Sequence, residues 1–252
     1  IAEGGRAMIY AAAQTADLMV DAGRRQDRAT QDKHDDTLGF YTPILKGFLT
    51  EMGLEAANLG MQVFGGHGYI HEHGMEQIAR DARIATLYEG TTGIQALDLL
   101  GRKVLLGTRG KCVRDFSRIM LRSAKTHWLA HGSIGRMARS TARRAIEWNL
   151  LTLRIMRRVG KDRDLVGSAS VDYLMYSGYV MMAHFWARQA AVALTLLRNG
   201  KGAESAEFYR AKIQTAEFYF DRLLPRADAH RKSALAPTRS LMQMGNGDFA
   251  FS

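Results

Sequence analysis

Thr42-Pro43-Ile44-Leu45-Lys46-Gly47-Phe48-Leu49-Thr50-Glu51-Met52-Gly53-Leu54-Glu55-Ala56-Ala57-Asn58-Leu59-Gly60-Met61-Gln62-Val63-Phe64-Gly65 places apolar side chains at Ile44, Phe48, Met52, Ala56, Leu59 and Val63. Steps of three and four put these on one face of an α-helix, whereas a strand would alternate them between two faces. Thr42 before Pro43 predicts the helix start, since a threonine oxygen accepts from free amides and a proline at the first helical position forfeits no hydrogen bond. Gly65-Gly66-His67-Gly68-Tyr69 predicts its end, because glycine adopts the left-handed conformation that helix C-termini favour.

The same period recurs on both sides. Ala2 to Ala22 carries Met8, Ala12, Thr15 and Met19 at helical spacing and predicts a helix ending near Gly23. Arg24 to Leu38 is nearly all polar or charged and reads as a solvated connection. Beyond Tyr69, a short helix is expected over Met75 to Ala82, then a tight connection from Tyr88 to Thr92. Thr91 or Thr92 caps a helix whose apolar set is Ile94, Leu97, Leu100, Val104 and Leu105, ending near Gly107. Four more periodic stretches, Val113 to His131, Arg136 to Val159, Val171 to Leu197 and Ala203 to Leu224, are separated by glycine-bearing breaks and predict a bundle. The tail from Ala234 to Ser252 has no clear period. Leu174 to Leu197 is the most apolar stretch, but His184, Arg188 and Gln189 interrupt it, so it reads as a buried helix rather than a bilayer span.

Composition agrees with an all-α fold. Only 3 prolines occur in 252 residues, amid many Ala, Leu, Arg and Met. The single Cys112 excludes an intramolecular disulfide framework and a multi-cysteine zinc site, and fits a reducing compartment or simple disuse of thiols; a cytoplasmic location is expected. Ile1 to Tyr10 lacks the basic and apolar regions of a secretory signal. Residues 1–109 hold 11 basic and 14 acidic side chains, whereas residues 110–252 hold 24 and 11. This sign change, at Thr108 to Gly110, sets two expected domains, 1–108 and 109–252. A basic half attracts nucleic acid, anionic lipid, phosphorylated ligands or an acidic neighbouring domain, and charge alone does not choose among these.

Single motifs are weak. Gly65-Gly66-His67-Gly68 follows a helix, whereas a phosphate-binding glycine loop joins a strand to a helix N-terminus. His67, His71 and His73 with Glu72 fail the metalloprotease spacing, so no metal site is expected. The aromatics Trp128, Trp148, Trp186, Tyr209 and Tyr219 of the basic half sit at spacings that build a core, which argues against nucleic-acid binding. Glu89 stands in an apolar-flanked turn with no Lys or Arg within four residues on either side. Such a carboxylate either caps a helix or serves as a base once ligand excludes water, and the local sequence favours the cap.

Taken together, Gln62-Val63-Phe64-Gly65-Gly66-His67-Gly68-Tyr69, Arg80-Asp81-Ala82-Arg83, Tyr88-Glu89-Gly90-Thr91 and Ile94-Gln95 resemble, in order and spacing, the C-terminal helical domain of acyl-CoA dehydrogenases. The likeness covers about Ile1 to Gly107. The run through Lys103 and the added helical region resemble a large bacterial subgroup. The resemblance implies a four-helix-bundle acyl-CoA dehydrogenase domain followed by an additional helical domain. It implies Glu89 as the catalytic base, removing the pro-R α-proton of an acyl-CoA thioester while the β-hydride passes to FAD. Tyr88 and Gly90 become substrate-binding positions, and the Glu89 amide one donor to the thioester carbonyl. Gln62, Gly65 and Gly66 match positions approaching the adenine and pyrophosphate of FAD held largely by a neighbouring subunit, and Thr91 matches a FAD-contacting position. Gly93 stands where the family often has Gln or Glu, which removes one side-chain contact. By the same resemblance a homo-oligomer (dimer or tetramer), electron-transferring flavoprotein as acceptor and a role in fatty acid metabolism are expected. The family's N-terminal helical and middle β domains would precede Ile1, so the isolated chain is expected to be inactive. The rival expectation is a noncatalytic helical module binding nucleic acid or membrane through its basic half.

Overall fold

A computed structural model describes residues 1–249, and the described residues form helices and turns with no strand. The order is α1 (Ala2–Arg24), α2 (Arg28–Val63), two short 3₁₀ turns, α3 (Met75–Ile84) and α4 (Thr92–Leu97). A π-helical segment, Asp98–Gly107, prolongs α4. After the turn at Thr108–Gly110 come α5 (Lys111–Thr126), α6 (Gly132–Val159), α7 (Leu165–Asn199), α8 (Ala206–Phe218), α9 (Arg226–Ser233) and α10 (Arg239–Met242).

Two expectations need correction. Arg24 to Leu38 is not a connection: α2 begins at Arg28, and the Asp27 carboxylate accepts from the Thr30 amide as its cap. Consequently Thr42–Pro43 lies inside the helix, where Thr42 donates back to the Leu38 carbonyl at 2.8 Å. Apolar periodicity is blind to a helical turn with few core residues, and α1 packing along α2 supplies the stabilisation that outweighs one proline. Elsewhere the boundaries move by a few residues. α5 stops at Thr126 rather than His131, and α7 starts at Leu165, so Gly167 lies within it. Trp128 is 45% exposed, a further correction, because it falls beyond the end of α5; Trp148, Trp186, Tyr209 and Tyr219 are buried.

α7 is the axis of the molecule. By length and composition it is apolar enough to cross a membrane, with a mean hydropathy of 1.3 over its most apolar window. Here it is sheathed instead by α1, α2, α4, α6, α8 and α9. One apolar core runs from Met8 through Phe48, Leu99, Phe116, Trp148 and Tyr173 to Tyr219, on both sides of the Thr108–Gly110 turn. At the α2–α7 crossing Gly178 lies against the Phe48 ring, so that a Cβ there would overlap the ring atoms. Phe48 in turn meets Tyr179 edge-on, with centroids 5.0 Å apart. Gly178→Ala is therefore expected to destabilise the fold by about 1–3 kcal/mol through overpacking, read as a lowered urea midpoint.

Polar ties add specificity. Arg144, on α6 and almost wholly buried, makes two bonds to Asp228 of α9 at 2.6 and 2.8 Å and one to Glu147 at 2.8 Å. Hydrogen bonding to this guanidinium holds the Asp228 carboxyl below its ordinary range. Part of the basic half's excess charge is met within the chain, by Arg226 on Glu55 at 2.6 Å and Lys212 on Glu3 at 2.7 Å.

Candidate active site

The turn between α3 and α4 is built from both flanks. Leu87 and Tyr88 amides donate to the Ile84 carbonyl, ending α3. Thr86 is buried, its hydroxyl bonded to the Arg83 carbonyl at 3.1 Å. Thr91 caps α4 by accepting from the Ile94 amide at 3.5 Å, and Thr92 donates to Glu51 of α2 at 2.5 Å. Gly90 has φ +78°, a backbone conformation that strains any larger residue, and a Cβ there would require the end of the Gln95 side chain to move. From α2, the Lys46 ammonium donates to the Ala85 carbonyl and stands 4.1 Å over the Tyr88 ring.

Glu89, at the crest of this turn, is exposed and makes no hydrogen bond or ion pair among the described residues. The capping reading of Glu89 is thereby corrected: the cap is Thr91, two residues on, which directly precedes the first helical residue and places its oxygen within reach of the Ile94 amide. Tyr88 is also exposed, beside Glu89.

Gln62, Gly65 and Gly66 lie elsewhere, at the exposed C-terminal end of α2. Gly65 has φ +60°, and the space where Gly65 and Gly66 would carry a Cβ is open, which leaves their backbone accessible to a flat or anionic group. Gly68 closes the turn, since a Cβ there would strike the Met61 carbonyl. Lys46 and Glu51 touch the Glu89 turn, and Gln62 lies further along α2 than both, about 16 Å along the helix axis beyond Glu51 and about 24 Å beyond Lys46. A groove of about 910 Å³ between α2 and α3, lined among others by Met61, Tyr69, Arg80, Arg83 and Leu87, extends between the two groups of site residues. His67 and His73 pack ring edge to ring face, with centroids 5.3 Å apart, and His71 pairs with Glu76 at 3.4 Å.

Spacing could not disclose Lys46 and Glu51. Each is an ordinary charged residue on a long helix, and their contacts reach 39 and 41 residues along the chain. Among the described residues these are the side chains that tie the turn to α2.

Comparison with known proteins decides the family. A model described as acyl-CoA dehydrogenase, C-terminal domain, matches residues 1–105, and one described as acetyl-CoA dehydrogenase C-terminal like matches residues 115–245. The chain belongs to the acyl-CoA dehydrogenase family. Among acyl-CoA dehydrogenases it is 34% identical to 3-methylmercaptopropionyl-CoA dehydrogenase of Ruegeria pomeroyi, over 91% of this chain and 38% of that protein. It is 28% identical to a broad-specificity linear acyl-CoA dehydrogenase of Mycobacterium tuberculosis, over 82% of this chain and 34% of that one. A butyryl-CoA dehydrogenase of Syntrophomonas wolfei is 28% identical over 89% of this chain and 36% of its own length. The chain thus spans little more than a third of these acyl-CoA dehydrogenases, and the first of them represents the bacterial subgroup that the motif run resembles.

Proposed function

We propose that this chain is the C-terminal portion of an FAD-dependent acyl-CoA dehydrogenase that converts an acyl-CoA thioester to a trans-2-enoyl-CoA, with Glu89 as the base. The carrying observation is the carboxylate itself. Among the described residues Glu89 has no partner, while Thr91 and Thr92 beside it are committed to structural hydrogen bonds. An unengaged carboxylate on a braced turn is suited to accept a proton from a bound ligand, and substrate packing over Tyr88 and Gly90 would exclude water from it. The adjoining Glu89 amide would donate to the thioester carbonyl, where negative charge builds as the proton leaves.

FAD, when bound, supplies the hydride acceptor. The open glycine backbone at Gly65 and Gly66, with Gln62 before it, fits a flat or phosphorylated group, and Thr91 would face the cofactor nearer the base. Their separation along α2 supports a cofactor shared between copies, hence a homo-oligomer. Exposed apolar residues from the C-terminal end of α2 along α3, Val63, Phe64, Tyr69, Ile78 and Ile84, support burial against further protein. Electron-transferring flavoprotein as acceptor, fatty acid metabolism, a cytoplasmic setting and inactivity of the isolated chain belong to the same reading.

One observation favours the rival module. Arg139, Arg143, Arg154 and Arg157 with Ile146 and Leu150 form a solvent-facing row on α6, in which Arg143 alone meets a carboxylate, Glu147 at 3.7 Å, among the described residues. The visible spectrum of the full-length gene product, titrated anaerobically with a panel of acyl-CoA esters, separates the two. Bleaching of an oxidised flavin band is expected and ranks the substrates. A protein that remains colourless after added FAD would transfer the assignment to the noncatalytic module.

A further inference from the structure

Lys46 is half-buried on α2 and makes no ion pair among the described residues. Its ammonium is directed instead at a carbonyl and an aromatic face, Ala85 and Tyr88, both on the approach to Glu89. A lysine held this way has exchanged water and mobile counterions for two fixed partners. The donor is charged, so its bond to the carbonyl is stronger than one between neutral groups, and the ring face adds a cation–π attraction. On the next turn of α2, Glu51 takes the Thr92 hydroxyl at 2.5 Å, beyond Glu89. Between the two, Gly47 lets α2 approach closely: a Cβ there would lie 3.3 Å from Gln95 Cβ and 2.7 Å from Leu174 Cδ1. Lys46 and Glu51, on either side of Gly47, therefore hold the turn before and after the glutamate. The crest itself, Glu89 and Gly90, has no such grip.

We infer that Lys46 is the positioning residue of the Glu89 turn, fixing the Ala85 carbonyl and the Tyr88 ring so that the Glu89 peptide and carboxylate keep one orientation, with Glu51 holding the exit. Its catalytic consequence rests on Glu89 being the base; its structural content does not. A side chain that only contributed apolar stem contacts could be replaced by methionine at no cost to the turn. A positioning cation cannot be, and arginine should recover most of what methionine loses.

The experiment compares Lys46→Met and Lys46→Arg with the parent in the full-length protein, following amide hydrogen exchange with and without FAD. In Lys46→Met the Leu87 and Tyr88 amides, which donate to the Ile84 carbonyl, are expected to exchange about tenfold faster, the equivalent of ~1.4 kcal/mol of local stabilisation, while amides of α7 are unchanged. Lys46→Arg should return them close to the parent rate. In the flavin-loaded protein the Met variant should bleach about tenfold more slowly, with little change in KM. Unchanged exchange in Lys46→Met overturns the inference, as does equal acceleration of turn and α7, which would make Lys46 a residue of global stability. If the Met variant does not fold, Lys46→Gln carries the same comparison. Should the turn loosen while Glu89→Gln retains turnover, the positioning role stands and the assignment of the base falls.

Discussion

Replacing Glu89 by Gln in the full-length enzyme is expected to slow flavin bleaching by an acyl-CoA by about 10²–10⁴-fold, the range that a positioned general base contributes. The substitution is nearly isosteric, and the wild-type side chain has no bond to lose within the described residues. Folding, flavin content and acyl-CoA binding should therefore remain close to the parent. The glutamate's amide is also untouched, so any contribution from backbone donation to the thioester carbonyl persists, and residual activity reports on it. An intact bleaching rate would remove Glu89 from the base position. A variant that lost flavin would instead show that the carboxylate supports the cofactor, which the open, unpartnered side chain gives no reason to expect.

The second large effect is on stability and comes from His184. This side chain is 1% exposed on α7, between the rings of Phe116 at 5.6 Å and Phe185 at 5.3 Å, and its Nδ1 has no hydrogen-bond partner among the described residues. Burial, aided by the positive charge of Arg188, pushes its pKa down to about 4. An unfolded chain binds the proton at about pH 6.5, while the folded chain refuses it until about pH 4. The contribution is thus fully present above pH 6.5 and declines as the pH falls through that window, by about 3 kcal/mol in all. Urea titrations across it should show the decline in the parent. His184→Phe, apolar and of similar shape, should have a flatter profile by that amount. Parallel profiles would mean that water or motion relieves the buried ring.

Reading the sequence was most successful where core residues recur on one helical face. α1, the second half of α2, α3, α6 and α7 are all visible as such, because burial of one stripe selects the residues that form it. The first half of α2 was invisible for the converse reason. Asp32, Lys33, His34, Asp35 and Asp36 satisfy a helix backbone as well as a loop does, and only the neighbouring α1 and the Asp27 cap select the helix. Trp128 shows the same limit at a single residue: its type suggested core, but its place beyond α5 left it exposed.

The sequence by itself determined the all-α class, the glycine-marked helix ends and the motif run that identifies an acyl-CoA dehydrogenase. These are local or repetitive signals, written in residues a few positions apart. Only the tertiary structure decided which helix becomes the axis and that Lys46 and Glu51 brace the Glu89 turn. It also placed Gln62 and Gly66 far along α2 from that turn. Such facts depend on contacts between residues roughly 40 positions apart or more, and a contact of that span arises only when the helices carrying both partners have packed.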